Sequence, residues 1–537
     1  MDANSPADYF VTPAAIPKAH RPGPVLEQRH YLCNGELRCW DGPVHDVFSP
    51  VYLASAAGSP APLRLGSHPL LGSREAEAML EAACNAYDRG CGEWPSMSPS
   101  QRLARVEQLL AGLEKCRQEV VRSLMWEIGK SREESEMEFS RTLEYLAETA
   151  VEIRRRSREE EGLLRQQGVI ARRLRAPVGV ALCLGPYNNP FYETYTTLIP
   201  LLLMGNTVIF KPPRLGVLLH RFILPLLQEC FPPGVVNSLY GEGEAVLAPV
   251  LRSGRIDLLA FIGSRRGAEL LRSWHPTPGR LRCLLGMEAK NAAIILADAD
   301  LEQAAAECAL GALAFNGQRC TALKILLVQH SITLPFLEQL SREVQRQPIG
   351  MPWLPGVRIT PLPEPARVAY LGELLADALS KGARIINPGG GEIRETLMTP
   401  AVLYPVGPGM RLYHEEQFGP LIPVASFETL EEARRYVAES EFGQQVSVFG
   451  QDEEQLAAVS RSLLNQVCRI NINSKCQRGP DGFPFTARRN SAEGTMSVAE
   501  TLDACSITSL VAGRDTPGNQ RILAASTYAN SCAKSYD

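Results

Sequence analysis

Between Pro177 and Ile262, short apolar runs alternate with stretches whose apolar positions recur every three or four residues. Residues 178–184 form an almost wholly apolar run, the pattern of a strand buried on both faces of a parallel sheet. Further runs at 207–210, 235–240 and 258–262 are separated by helical stretches through 200–203, 217–230 and 244–253. This rhythm predicts a doubly wound, nucleotide-binding α/β sheet. A second set opens at 291–296 and continues with a small-residue helix, a strand at 324–328 and a helix at 334–345. Strand signals return at 445–449 and 468–471, so two doubly wound α/β lobes are expected. Ahead of them, Leu103, Val106, Leu109, Leu110 and Leu113 recur at helical spacing, as do Phe139, Leu143 and Leu146, within a helical stretch from Ser73 to about Ser157.

The flanks divide the chain further. Residues 1 to about 65 are rich in Pro, Ala and Gly and predict an extended arm ordered by packing. With the helices, they make a first unit of residues 1–153. A charged boundary, Arg154 to Arg156 and Glu159 to Glu161, leads into alternation at 167–175, which predicts a small β flap over 154–175. The two lobes then occupy 176–288 and 289–488. Residues 489–512 return to a strand at 507–511, and 513–537 read as a polar tail with a weak helix.

Composition narrows the class. A chain of 537 residues exceeds one ordinary domain, and a hydrophobic fraction of 45% supports large cores. A net charge of −4 gives no argument for nucleic acid. The longest apolar stretch, 198–209, is broken by Pro200, Gly205 and Asn206, so no membrane span is predicted. Residues 1–20 have no apolar core segment, hence no expected signal peptide. The 14 cysteines lack a repeated spacing, and neither Cys33/Cys39 nor Cys84/Cys91 is a CxxC pair. No metal site is predicted, and a reducing cytoplasm is the expected setting.

Candidate chemistry concentrates at residues 316–324. Gly317 should break the preceding helix and set Cys320 on a turn beside Arg319. A fixed cation there can lower a thiol pKa and bind an anionic substrate. Taken alone, a lone cysteine is more often a packed structural residue.

Other stretches change those odds. Pro186-Tyr187-Asn188-Asn189-Pro190, Met204-Gly205-Asn206-Thr207-Val208, Lys211-Pro212, Phe261-Ile262-Gly263-Ser264, Gly317-Gln318-Arg319-Cys320 and Glu415-Glu416-Gln417-Phe418-Gly419-Pro420 stand in one order. Together they resemble the aldehyde dehydrogenase superfamily over roughly residues 75–512. Gln477 to Phe485, Glu127-Ile128-Gly129-Lys130-Ser131 and Thr321-Ala322 are similar to its non-phosphorylating glyceraldehyde-3-phosphate dehydrogenases. The resemblance implies oxidation of an aldehyde through a cysteine thiohemiacetal and thioester, with hydride passing to a nicotinamide.

It also implies roles by position. Cys320 is the nucleophile, and Asn188 with the Cys320 N–H forms the oxyanion site. Lys211, Ser264, Glu416 and Phe418 hold the cofactor. Arg214 stands where many NAD-using members carry a glutamate, which implies NADP, with NAD possible. Arg319, Arg478 and Arg141 match a phosphate-binding set, and three guanidiniums suit a small anionic aldehyde such as glyceraldehyde 3-phosphate. Asn189, in place of that set's tyrosine, leaves room for another anionic aldehyde. The family's general-base glutamate falls on Gly286. Glu288 lies on the same side of an extended segment, roughly 6.5 Å along it, and is the candidate replacement. A second reading is a catalytically weakened homologue serving in cofactor binding or assembly. Finally, segment 156–175 and strand 507–511 have exposed edges, and in the family such elements pair between subunits, which implies a homodimer or homotetramer.

Overall fold

The computed structural model describes residues 10–54, 60–160 and 162–526. Two parallel sheets organise it. In the first, β1 (Val180–Leu184), β2 (Thr207–Lys211), β3 (Val236–Ser238), β4 (Leu258–Ile262) and β5 (Arg282–Gly286) lie in the order β3-β2-β1-β4-β5, closed at one edge by an antiparallel bridge from Ala492–Glu493. Chain order reverses beside β1, so the loops after β1 and β4 diverge and open a crevice at the carboxyl ends of the strands. Every residue of β1 is buried, as its apolar run requires. Helix Tyr192–Leu203 is buried along its whole length against this sheet.

The second sheet uses β6 (Ala292–Ile295), β7 (Ile325–Gln329), β8 (Ala401–Tyr404), β9 (Leu421–Phe427), β10 (Gln445–Phe449) and β11 (Arg469–Ile472), ordered β8-β9-β7-β6-β10-β11. Arg384–Ile385 pairs antiparallel on the outside of β8. The mixed α/β architecture with two lobes is therefore present. The first lobe turns the carboxyl ends of its strands toward the cleft, whereas the second presents the loops that enter β7, β9 and β10.

Several boundaries differ from the sequence expectation. The expected helix 217–230 is a short turn, Leu218–Phe222, followed by helix Leu224–Cys230, with Pro225 restarting it. Helix Arg132–Glu160 runs on through the charged boundary. Arg155 pairs with Glu152 and Glu159, and Arg156 with Glu152, so the charges face each other at helical spacing rather than ending the helix. A three-stranded antiparallel sheet follows: Leu163–Gln166, Val169–Pro177 and Ser506–Arg514, the last two paired over nine residues within one chain. Residues 10–54 and 60–69 are largely extended. The Leu32 N–H donates to Ser238 Oγ and the Asn34 N–H to Asn237 Oδ1, which ties the arm to β3 at the sheet edge. Part of the expected tail is helix Pro517–Ala525, anchored by buried Leu523; residues 527–537, like 1–9 and Glu161, lie outside the described residues.

Candidate active site

Helix Leu301–Leu313 is N-capped by Asp300 and ends before Gly317. The break is made by three successive residues at positive φ: Phe315 (47°), Asn316 (55°) and Gly317 (74°). Such strain persists only where the surroundings over-determine it. Here Glu134 accepts the Phe315 N–H at 2.9 Å, and Asn316 exchanges two hydrogen bonds with Thr360. Lys324 Nζ donates to the Gly317 carbonyl at 3.2 Å. A side chain at 317 would meet the Gly419 and Ala312 carbonyl oxygens at 2.6 and 2.7 Å. The turn therefore delivers Cys320, half-buried, to the floor of an interlobe cleft of about 1300 Å³. Burial, with Glu193 as the next cause, pushes its thiol up to about 11, while Arg478 and Arg319 act in the opposite direction.

The wall opposite is the loop after β1. Asn188 is buried and donates through Nδ2 to the Gln318 carbonyl at 2.8 Å, which sets the amide beside the Cys320 turn. An amide nitrogen carries two hydrogens, so a second remains for another acceptor. Lys130 fixes this loop from below: its Nζ donates to Glu138 (2.6 Å), the Asn188 carbonyl (3.1 Å) and Asn189 Oδ1 (2.8 Å). Asn189 is thus occupied with Lys130 and, like Arg319, Arg141 and Arg478, is not among the residues lining the cleft.

Along the cleft, Ser264 caps helix Arg265–Trp274 by accepting the Gly267 N–H. Glu288, the candidate base, is engaged here: its carboxylate accepts the Arg265 N–H at 2.9 Å. It lines the same cleft as Cys320, but its hydrogen bond is to the helix start. Gly286, at the family's base position, ends β5 and has no side chain to offer. Glu416 is buried, accepts from the Ala289 N–H (3.1 Å) and lies 3.3 Å from Lys324 Nζ. Burial raises its carboxyl above the usual range. Phe418 carries Lys324 over its ring at 4.6 Å and meets Tyr187 edge-on.

Lys211 and Arg214 meet in a side recess of about 170 Å³ with His68, Tyr240 and Glu242. Burial brings the Lys211 ammonium down to about 8. Arg214 also borders the main cleft, is half-exposed and pairs with Glu364. The sequence shows no acid between these two cations, yet the fold supplies Glu364 and Glu242 from elsewhere.

The arginines converge around Tyr192, with Arg141 over its ring at 4.7 Å and Arg478 at 4.9 Å. Arg319 acts electrostatically on Cys320, Arg141 and Glu193. They come with acids that sequence reasoning missed. Asp481 takes two bonds from Arg141 (2.7 and 3.2 Å) and one from the Tyr192 hydroxyl (2.8 Å). Glu193 pairs with buried Arg478. Among the described residues only Arg319 of the three arginines has no ion pair. Glu193 is the one charged residue of helix Tyr192–Leu203, which the sequence shows without saying what the side chain faces. Lys130, Lys290 and Lys324 were equally visible as residues but not as buried cations; Lys290 donates to the Glu415 carbonyl (2.7 Å) and Gln417 (2.9 Å).

Fold and cleft define an α/β enzyme that brings a thiol and a preset amide together beside a dinucleotide-sized groove. The chain belongs to the aldehyde dehydrogenase family, whose profile matches residues 63–511. It is 30% identical over 452 residues to a Streptococcus equinus protein named NADP-dependent glyceraldehyde-3-phosphate dehydrogenase, covering 82% of this chain and 91% of that one. An Arabidopsis thaliana protein of the same name is 27% identical over 442 residues, 80% of this chain and 85% of that one. Among solved structures, the NADP-dependent glyceraldehyde-3-phosphate dehydrogenase of Bacillus halodurans C-125, complexed with NADP, superposes with a TM-score of 0.81 at 26% identity, covering 91% of this chain and all of that one. Escherichia coli lactaldehyde dehydrogenase shares the fold, with a TM-score of 0.83 at 24% identity over 91% of this chain and all of that one.

Proposed function

We propose that this chain oxidises a small anionic aldehyde, glyceraldehyde 3-phosphate foremost, to its carboxylate with NADP. The reading rests on one observation: Cys320 and Asn188 line the cleft together, Arg319 and Arg478 act on the Cys320 thiol from behind that lining, and Arg141 lies in electrostatic range of Arg319. Cys320 attacks the carbonyl carbon as thiolate, and the Asn188 amide with the Cys320 N–H takes the oxyanion. When bound, NADP accepts the hydride. The Ser264 helix start suits a pyrophosphate, and Lys211 with Arg214 suits the extra phosphate. The names of the streptococcal and plant relatives and the NADP complex of the Bacillus protein support the same cofactor.

Arg141, Arg319 and Arg478 are set against Asp481, Glu193 and, in electrostatic range of Arg319, Glu134, so a substrate phosphate shares the guanidiniums with these acids. The specific observation favouring a second reading, a weakened homologue with a retained binding role, is Gly286 at the base position with Glu288 held at a helix start. Rapid mixing with aldehyde and NADP separates the two: sustained NADPH formation without added phosphate supports the enzyme, and a burst without turnover supports the homologue. An absolute need for phosphate or coenzyme A identifies another acyl acceptor. For the cofactor, Arg214→Glu should reverse the NADP:NAD ratio of kcat/KM. One charged hydrogen bond contributes about 1.5–3 kcal/mol; half-exposed and shared with Glu364, Arg214 should give about the tenfold end. An unchanged ratio removes Arg214 from the phosphate site.

A further inference from the structure

A small cavity of about 30 Å³ lies beside Gly286, and Glu193, Cys320, Gln444 and Ser491 share its wall. That is room for a water molecule, in a wall that is mainly apolar (Ile262, Leu285, Phe485 and Met496) and in which Glu193 is the one charged side chain. Glu193 also borders the main cleft, so it stands between the two spaces. It is 6% exposed, and Arg478 NH1 donates to its Oε2. The guanidinium sets the direction of the buried carboxylate. Glu138 accepts the Phe191 and Tyr192 N–H groups at 3.0 Å each, which fixes the helix start carrying Glu193. Among neighbouring charges, Glu193 acts most strongly on the Cys320 thiol.

We infer that Glu193 is the general base for thioester hydrolysis, supplying within the lining of this cavity the carboxylate that Gly286 lacks. The inference rests on the aldehyde dehydrogenase reading above. Glu193 takes one proton from the water while the water oxygen bonds to the thioester carbonyl carbon. The carbonyl electron pair moves to oxygen and is held by the Asn188 amide. Collapse re-forms the carbonyl and breaks the C–S bond, whose electrons leave on the Cys320 sulfur. The proton on Glu193 returns to that thiolate, and the product leaves as carboxylate after releasing its own proton to solvent. Since the hydride has already left, this step needs no oxidant.

The test compares wild type, Glu193→Gln and Glu193→Gln/Gly286→Glu by rapid mixing and steady state. Glutamine keeps an acceptor oxygen for Arg478. Glu193→Gln should still release about one NADPH per site in a burst, while turnover falls about 100-fold or more. Hydroxylamine, which attacks a thioester without a base, should restore turnover. A Cβ at 286 first meets the flexible end of Met496 at 3.3 Å, so Gly286→Glu needs Met496 to give way and should then return part of the hydrolysis. Wild-type turnover by Glu193→Gln overturns the inference, as does loss of burst and turnover together without hydroxylamine rescue. It also falls if Glu288→Gln, instead of Glu193→Gln, separates burst from turnover. A wild type that gives no burst with any aldehyde rejects the proposed function itself, a result distinct from all of these.

Discussion

A thiol held at about 11 is almost wholly protonated at neutral pH. Burial and Glu193 both favour the neutral form, since each disfavours a second negative charge. In the enzyme without cofactor, alkylation of Cys320 by iodoacetamide should therefore be slow at pH 7, rise about tenfold per pH unit from there and level off only near the thiol's own value of about 11. Peptide mapping is needed, because Cys39, Cys91 and Cys468 are exposed and also react. Glu193→Gln should move the midpoint down, as it removes the charge that opposes the thiolate. A plateau at or below pH 8 in the wild type would contradict this picture of the site. At the same scale, Cys320, Asn188 and Arg319 could be located from the sequence because motifs carry them. Glu193 could not be, because nothing in a run of buried helix residues says which side chain reaches through to the opposite lobe. Nor do Arg478 and Asp481 reveal in sequence that one is sheathed by residues hundreds of positions away.

At the level of elements, legibility followed burial pattern. The strands β1, β2 and β4 are short runs with every residue apolar or nearly so, and they stood out. In contrast, β8 and β9 went unseen although both lie inside the second sheet: β9 contains Pro423, and Pro420 and Pro405 abut the two, masking the pattern. The sheet of Leu163–Gln166, Val169–Pro177 and Ser506–Arg514 was read as segments with open edges, and the structure pairs all three within the chain. Among the described residues one edge of Ser506–Arg514 stays unpaired, and Ile507 (46%), Leu510 (61%) and Val511 (38%) are exposed. An apolar edge strand of that length is a liability unless something covers it. A second copy covering it is the expectation here. Sedimentation at micromolar concentration should give a dimer or tetramer for the wild type and a smaller species for Leu510→Asp, with unchanged circular dichroism. A monomeric wild type would count against the pairing.

At the scale of the whole molecule, no described helix is long and apolar enough to cross a membrane. The lobes meet through specific polar contacts: Asn188 with Gln318, Glu134 with Phe315, Arg141 with Asp481, and Glu193 with Arg478. None of these joins neighbours in the chain. The ion pair of Glu193 and Arg478 spans 285 residues. At roughly 5–20 residues per second, synthesis leaves about 15–60 s during which the acid exists before its cation does. Through that interval the first lobe holds a carboxylate that its own packing would bury without a partner, so it cannot close there at low cost. Time is thus built into the site: the cleft matures only when the last quarter of the chain has arrived. After dilution from denaturant, the far-ultraviolet signal should return first and aldehyde oxidation measurably later, with the lag ending as the second lobe docks.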